Sequence, residues 1–465
     1  MKDKRKLLIL GNAPLPFENT KKNYAAGIRT WQFVEPLIKF DNGFEAIDVY
    51  LIIMRNIYNT IPKNFSLGNV HFKYITEEIA LDKNFLSDKN INDEYEAIIG
   101  INTYPSYACA KLNTQIPFWA DLNGYIMAEA QSRAAIEKSD EVLYLSWLQE
   151  STILSKADKI SVVSMPQKFA VIGELAVLGR LNNLSNGYDF VEYIPAPVFN
   201  PIESPETENF VPPYPLDKKK FNIFWSSGYN TWADVDTLFS ALEKIMSKYP
   251  DVEYISTGGI IKGHDEKTFE KFLALIEKSK FKDRFKFIGW IPKKAVDYYY
   301  INCNLGIVCD KNNYETLIGA RNRINDMMHF KMPILTSRLS EISKIVERNG
   351  LGRCFEISNS ESLFEKLVDA YENRSDSAKY AEKAFQYAME NFIPIKSTTP
   401  FRLWLSKEEK KSPDNAKSTP LIPTYGDSKL EQFLLSIKRS GVAVTIKYSV
   451  KFFYKKIKKI LKILS

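Results

Sequence analysis

Apolar residues in this chain come in short, nearly unbroken runs separated by longer stretches with helical spacing. The first half contains KLLIL (6–10), AIDVYLIIM (46–54), VHFKYI (70–75), EAIIGI (96–101), PFWADL (117–122), KISVV (159–163) and FVEYI (190–194). Helical patterns lie near 26–39, 126–139 and 166–181. A strand apolar at every position is buried on both faces, which is the mark of a parallel sheet covered by helices on each side. Residues 197–220 are rich in proline and charge and read as a linker. The alternation then restarts with FNIFWS (221–226), VEYIST (252–257), RFKFIG (284–289), NLGIVC (304–309) and PILTS (333–337). Helical patterns follow near 233–249, 265–280, 293–301, 320–331, 339–349, 359–373 and 376–391.

The expected fold is therefore α/β, with two facing Rossmann-like, doubly wound parallel-sheet domains. Open sheets of this kind bind ligands at the carboxyl ends of their strands, so the cleft between the halves is the expected site. The division reads as 1–205, 218–395, a return segment and linker over 396–425, and a basic tail over 426–465. A length of 465 residues suits two domains of about 200 residues each.

Composition narrows the function more than the fold. The first apolar run stops at Gly11 and Asn12, so it reads as a strand and not as a signal peptide. Four scattered cysteines without a Cys-x-x-Cys pair, and three distant histidines, speak against structural zinc or a disulfide framework. A reducing, cytoplasmic setting is expected. The net charge of +7 is unevenly placed: residues 426–465 hold ten lysines and arginines against two acids, so the first 425 residues sum to −1. A neutral body lacks the broad cationic surface that nucleic-acid binding requires. Within the tail, Phe453, Ile457, Ile460, Leu461 and Leu464 recur at helical spacing beside Lys451, Lys455, Lys458, Lys459 and Lys462. Such a helix suits an anionic membrane surface, and residues 447–465 are the expected contact, placing the protein peripherally on the inner face of the plasma membrane. Packing of that helix on the body is the alternative.

Candidate chemistry gathers around GARNRINDMMHFKMP (319–333). A helix from about Ala320 to Phe330 puts Arg321 and Arg323 in its first turn, where the dipole disfavours cations. A bound anion reconciles that conflict, because backbone N–H groups and guanidinium forks both bind phosphate oxygens. Asp326 lies one turn beyond Arg323 and is a candidate for ribose or sugar hydroxyls, or for orienting Arg323. A surface Arg–Asp pair is the plainer reading. Ser227 and Gly228 follow the first strand of the second half, and glycine there lets backbone amides approach a diphosphate. In the first half, Gly27 opens a helix that follows a long loop, with Arg29 beside it. Asp121 and Asn123 sit in DLNG at a strand's carboxyl end, where an ordinary Asx turn is the alternative.

The stretch RNRINDMMHFKMPILTSRLSEIS, with WSSGYNTWADVDTLFSAL (225–242), FIGWIP (287–292), LNNLS after GELAVLGR, and WADLNGYIMAE (119–129), resembles family-4 retaining GT-B glycosyltransferases. More narrowly, it resembles a bacterial branch serving cell-surface polysaccharide synthesis. The matches spread over about residues 5–395. The resemblance implies transfer of a sugar, with retention, from a nucleotide diphosphate donor to a glycan or lipid-linked glycan. It implies donor contacts at Gly27, Arg29, Ser227, Gly228, Glu315, Arg321, Arg323 and Asp326, and a main-chain contact from Ile291 to the base. Asp121 and Asn123 would face the transferred sugar or the acceptor hydroxyl. The sequence departs from the family where two glutamates eight positions apart are usual: those positions hold Ile318 and Asp326, with Glu315 displaced into the loop. The phosphate lysine common after the first strand is replaced by Tyr229, Asn230, Thr231 and Trp232. No metal and no cofactor are expected, since arginines and helix N-termini stand in for a cation at the leaving diphosphate. Two rivals share the architecture: a nucleotide-sugar 2-epimerase, for which three histidines are a poor endowment, and a non-catalytic, membrane-attached glycan-binding or scaffold protein.

Overall fold

The computed structural model describes residues 6–414 except 19, 21–24, 41–42, 54–57, 59, 83, 87–88, 200–210 and 262–263. The basic tail, including 447–465, therefore lies outside the described residues, as does part of the expected linker.

The unbroken apolar runs become two sheets. The first contains β1 (Lys6–Asn12), β2 (Ala46–Ile53), β3 (Phe65–Leu67), β4 (Val70–Thr76), β5 (Tyr95–Gly100), β6 (Phe118–Leu122), β7 (Lys159–Val162) and β8 (Val191–Tyr193). Their order is β3-β4-β2-β1-β5-β6-β7-β8, parallel throughout except for the short β3–β4 pairing. The second contains β9 (Phe221–Trp225), β10 (Val252–Thr257), β11 (Phe285–Gly289), β12 (Leu305–Val308), β13 (Ile334–Arg338) and β14 (Arg353–Glu356), in the order β11-β10-β9-β12-β13-β14. Every residue of β6, β9, β10 and β12 is buried, as a strand covered by helices on both faces must be. At the sheet edge β11 is only half-buried beyond its first residue.

Apolar clusters cover both faces of each sheet. One face of the first sheet is closed by a segment from the far end of the chain. Phe401, Trp404 and Leu405, on the helix Thr399–Leu405, pack among Phe33, Trp119 and Ile194. The Phe401 ring lies 5.0 Å from Phe33 and 5.2 Å from Trp119, both edge-on. The chain thus crosses back after the second domain. Residues 407–414, part of the expected linker, are fastened down: Trp404 Nε1 donates to Lys410 O at 3.1 Å, and Asp414 forms a wholly buried bidentate pair with Arg180.

Among the helices of the first domain, buried Glu150 lies near half-buried Glu174. Both carboxylate oxygens of Glu150 lack partners, while Tyr125 Oη donates to Glu174 Oε1 at 2.7 Å. Burial, then the charge of Glu174, pushes Glu150 well above the usual glutamate range, and burial raises Glu174 to about 7. Raised folded values mean that the native state binds protons that the unfolded chain releases. The associated stability is complete below the unfolded value and is lost as pH rises through about 7. The unfolding free energy from denaturant titrations should fall across that window by about 3 kcal/mol, and Glu150→Gln should flatten the decline. A Glu150→Gln curve parallel to wild type would show that the pair does not titrate there.

Candidate active site

Each sheet has one point where its strand order reverses, and the polar residues gather there. In the first sheet the reversal lies between β1 and β5. Asn12 ends β1, and Asn102 follows β5 in a left-handed conformation with φ 76°. Asn102 Nδ2 donates to Asn12 Oδ1 at 3.1 Å and to Ala26 O at 2.9 Å, while Asn123 Nδ2 donates to Asn102 Oδ1 at 2.9 Å. Three amides, not carboxylates, thus line this switch point. Gly27 lies beside them in the helix Ala25–Lys39, where a Cβ would stand 1.8 Å from Pro14 O; its lack of a side chain lets the helix seat on that carbonyl.

Asp121 and Arg29, expected to face the sugar and the phosphates, are instead engaged with each other. Arg29 Nη2 and Nε donate to Asp121 at 2.6 and 3.0 Å, and the two side chains are 1% and 0% exposed. Gln32 Oε1 and the carbonyls of Ile194 and Pro195 take the remaining Arg29 donors, while Asp121 also accepts from Ser161 Oγ at 2.6 Å. A buried carboxylate needs such partners, and here the sequence supplies them from below the cleft floor. Asp121 also fixes the backbone above it: its Oδ2 accepts from the Asn102 backbone N–H at 3.3 Å, under the amide triplet.

The second sheet reverses between β9 and β12, and the loops after β9, β10 and β11 meet there. Ser227 has φ 72°, and Gly258, at φ 99°, approaches it so closely that a Cβ would lie 2.3 Å from Ser227 O. A Cβ on Gly228 would lie 2.4 Å from Ile261. Ser227 and Gly228 therefore form a backbone turn held by its neighbour, with Ser227 exposed. Gly258 N donates to Gly289 O at 2.7 Å, joining the loop that carries half-buried Ile291 into Pro292 and the helix Lys293–Asn302.

The expected 320–330 helix runs Asn322–His329, with Arg321 at its N-cap position. Its two arginines part company. Arg321 is captured by acids: Nε donates to Asp310 Oδ2 at 2.6 Å, and Nη1 and Nη2 donate to Glu315 at 3.0 and 2.7 Å. Burial works against its charge, but Asp310 and Glu315 outweigh that and hold it protonated. Arg321 thus clamps the 309–321 loop from within. Glu315, buried in that clamp, is raised to about 7 by burial, with Asp310 adding to the rise and Arg321 opposing it.

Arg323 has no acid partner among the described residues. Its guanidinium lies over the Trp225 indole, 4.2 Å from the ring centroid, and Nη2 donates to Gly228 O at 3.2 Å. Nη1 is buried with no partner, and burial depresses the guanidinium pKa. Trp225 in turn stacks on Tyr229 with centroids 4.9 Å apart and planes 4° from parallel. Trp225, backed by Tyr229, thus forms a platform for an arginine from a different element. An unpaired buried guanidinium is costly, and a bound anion relieves the cost. Asp326, one turn on, accepts from Tyr300 Oη at 3.3 Å, and Tyr300 also meets Ser226 Oγ. The Asp326 carboxylate is open to solvent on one side yet sunk among protein atoms. That desolvation raises it to about 6, against the pull of Lys293.

The domains meet at this loop. Ser164 Oγ donates to Ile318 O, Asn313 Nδ2 to Ser132 Oγ at 3.1 Å, and Asn325 Nδ2 to Ala196 O at 2.7 Å. His264 Nε2 lies 3.7 Å from Glu129. Sequence reasoning missed Asn12, Asn102, Tyr300 and Asp310. The end of β1 at Asn12 was the one signal available; the others depend on strand order. No group of three or more metal-ligating side chains occurs among the described residues.

Two facing, doubly wound domains with their switch points turned to one junction define the GT-B fold, and solved structures bear this out. Sucrose-phosphate synthase from Thermosynechococcus elongatus superposes with a TM-score of 0.62 at 14% identity, over 86% of this chain and 98% of that one. HepE from Anabaena, in complex with UDP-glucose, gives 0.59 at 14%, over 86% and 99%. TarM from S. aureus, in a complex that includes UDP, gives 0.58 at 9%, over 87% and 100%. The family described as "Glycosyl transferases group 1" matches residues 206–387, the span that contains the whole second sheet. No curated protein matches the sequence.

Proposed function

We propose that the protein is a glycosyltransferase that moves a sugar from a nucleotide diphosphate donor, of the UDP class, to a glycan or lipid-linked glycan. The observation that carries this reading is Arg323, a half-buried guanidinium with no acid partner among the described residues and a buried, unmet Nη1, at the switch point of the domain that matches a glycosyl transferase family. A diphosphate meets that donor, and the Ser227–Gly228 turn brings backbone to the same place. Asp326 and the half-buried loop at Ile291 lie where ribose and base would extend. UDP-glucose and UDP occur in two proteins of the same fold.

On the acceptor side, Asn12, Asn102 and Asn123 offer amides to sugar hydroxyls, while Asp121 is held by Arg29. With that carboxylate engaged, the leaving diphosphate is the natural acceptor for the hydroxyl proton, a course that accords with retention. Cell-surface polysaccharide synthesis and attachment of residues 447–465 to an anionic membrane complete the proposal.

Release of UDP, GDP, dTDP or CMP from the corresponding sugars, assayed with glycan acceptors in EDTA, tests the reading. UDP release that survives chelation is expected. Release only from other nucleotides overturns the donor class. An absolute need for a divalent cation overturns the assignment of the leaving-group charge to protein groups.

A further inference from the structure

We infer that the surface formed by Val177, Leu181 and Leu184, at the amino-terminal edge of the first sheet, seats against an anionic lipid bilayer. The inference rests on the membrane attachment proposed above and adds to it a second contact and an orientation. Three large aliphatic side chains are exposed within eight residues here, at 60%, 46% and 59%. No carboxylate lies between Glu174 and Asp189, so the segment presents only apolar and neutral polar side chains around the buried Arg180. Its shape is fixed by Ser185 Oγ donating to Arg180 O at 2.6 Å and Asn182 Nδ2 to Gly179 O at 3.0 Å.

The sequence that follows this edge is cationic, which favours an anionic lipid surface over a neutral or basic protein partner. Exposed Lys111 and Lys156 end helices at this same edge, just before β6 and β7. At this edge Asp189 is paired with Lys168, Asp414 with Arg180 and Glu96 with Lys410, while Glu408 and Glu409 are exposed. The last described residue, Asp414, is locked to Arg180, next to Leu181. The lysine-rich residues that follow are therefore tethered at this edge. An aliphatic cap at the point where a cationic chain segment begins is the chemistry of an anionic lipid interface.

The strands run from this edge to the amide triplet at the cleft, a distance on the order of 15–20 Å for five residues of strand. Seated this way, the cleft opens away from the lipid, toward the glycan part of an acceptor.

Flotation of the full-length protein with phosphatidylcholine–phosphatidylglycerol vesicles tests the inference. Leu181→Asp with Leu184→Asp should weaken lipid binding about tenfold or more, given the apolar area withdrawn from the interface. Leu145→Asp serves as the control, on an exposed residue of the helix Glu141–Lys156. It should bind as wild type does, and all three proteins should share one unfolding temperature. Wild-type binding by the double variant, with loss of binding on truncation after Asp414, would overturn the inference and leave tail attachment standing. Equal weakening by Leu145→Asp would overturn the orientation. No binding by the wild type would overturn both.

Discussion

Arg323→Ala should lower UDP affinity by about 10–100-fold while leaving the unfolding temperature within a degree or two, because a charge-assisted contact contributes roughly 1.5–3 kcal/mol. Among the described residues Arg323 has no carboxylate to abandon and donates only to Gly228 O, so its removal exposes no orphaned acid there. The buried, unmet Nη1 is itself unfavourable, so its removal costs the fold nothing. Arg323→Lys keeps the charge but loses the planar fork and the stacking on Trp225, and should fall between the two. The neighbouring Arg321→Ala should do the reverse: it strips the partner from Asp310 and Glu315 and acts first on stability. Unchanged nucleotide affinity in Arg323→Ala would remove this arginine from the site.

Asp121→Ala should cost about 3–5 kcal/mol of stability, roughly a fifth or more of what an ordinary domain has. It leaves the 1%-exposed Arg29 guanidinium without its counter-ion and frees the Asn102 backbone N–H. Denaturant unfolding of Asp121→Ala and of Arg29→Ala/Asp121→Ala checks this; the double variant should recover part of the loss. A catalytic group facing the cleft would behave differently, with wild-type stability and lost turnover. Asp121→Ala with an unchanged midpoint would therefore contradict the positioning role.

The two sheets were legible because a strand buried on both faces is apolar at nearly every position, and twelve such runs stand out. The two missed strands lack that property. Phe65–Leu67 is a three-residue, largely exposed edge pairing, and Arg353–Glu356 is a four-residue strand bearing two charges. The helix Glu141–Lys156 also escaped, because Tyr144, Leu145 and Trp147 are exposed and blur the apolar stripe that marks a helix. Those exceptions have one cause: pattern reports burial, and it fails where burial and polarity part.

The site was legible only in outline. The 319–333 segment, the Ser227–Gly228 turn and Asp326 do converge on one switch point. Which arginine is free could not be read from RNR, because the capture of Arg321 depends on Asp310, eleven residues away at the end of β12. Likewise the pairing of Arg29 with Asp121 spans 92 positions and follows from β1 and β6 belonging to one sheet. Local spacing proposes charged groups; strand order decides which of them meet.

Calorimetric titration of UDP into the full-length protein in EDTA tests the central claim most directly. A single site with micromolar affinity, abolished or weakened at least tenfold by Arg323→Ala, is the expected result for a charge-assisted phosphate contact. Heat-silent titration with no shift in unfolding temperature, for UDP and for GDP, dTDP and CMP alike, would contradict it.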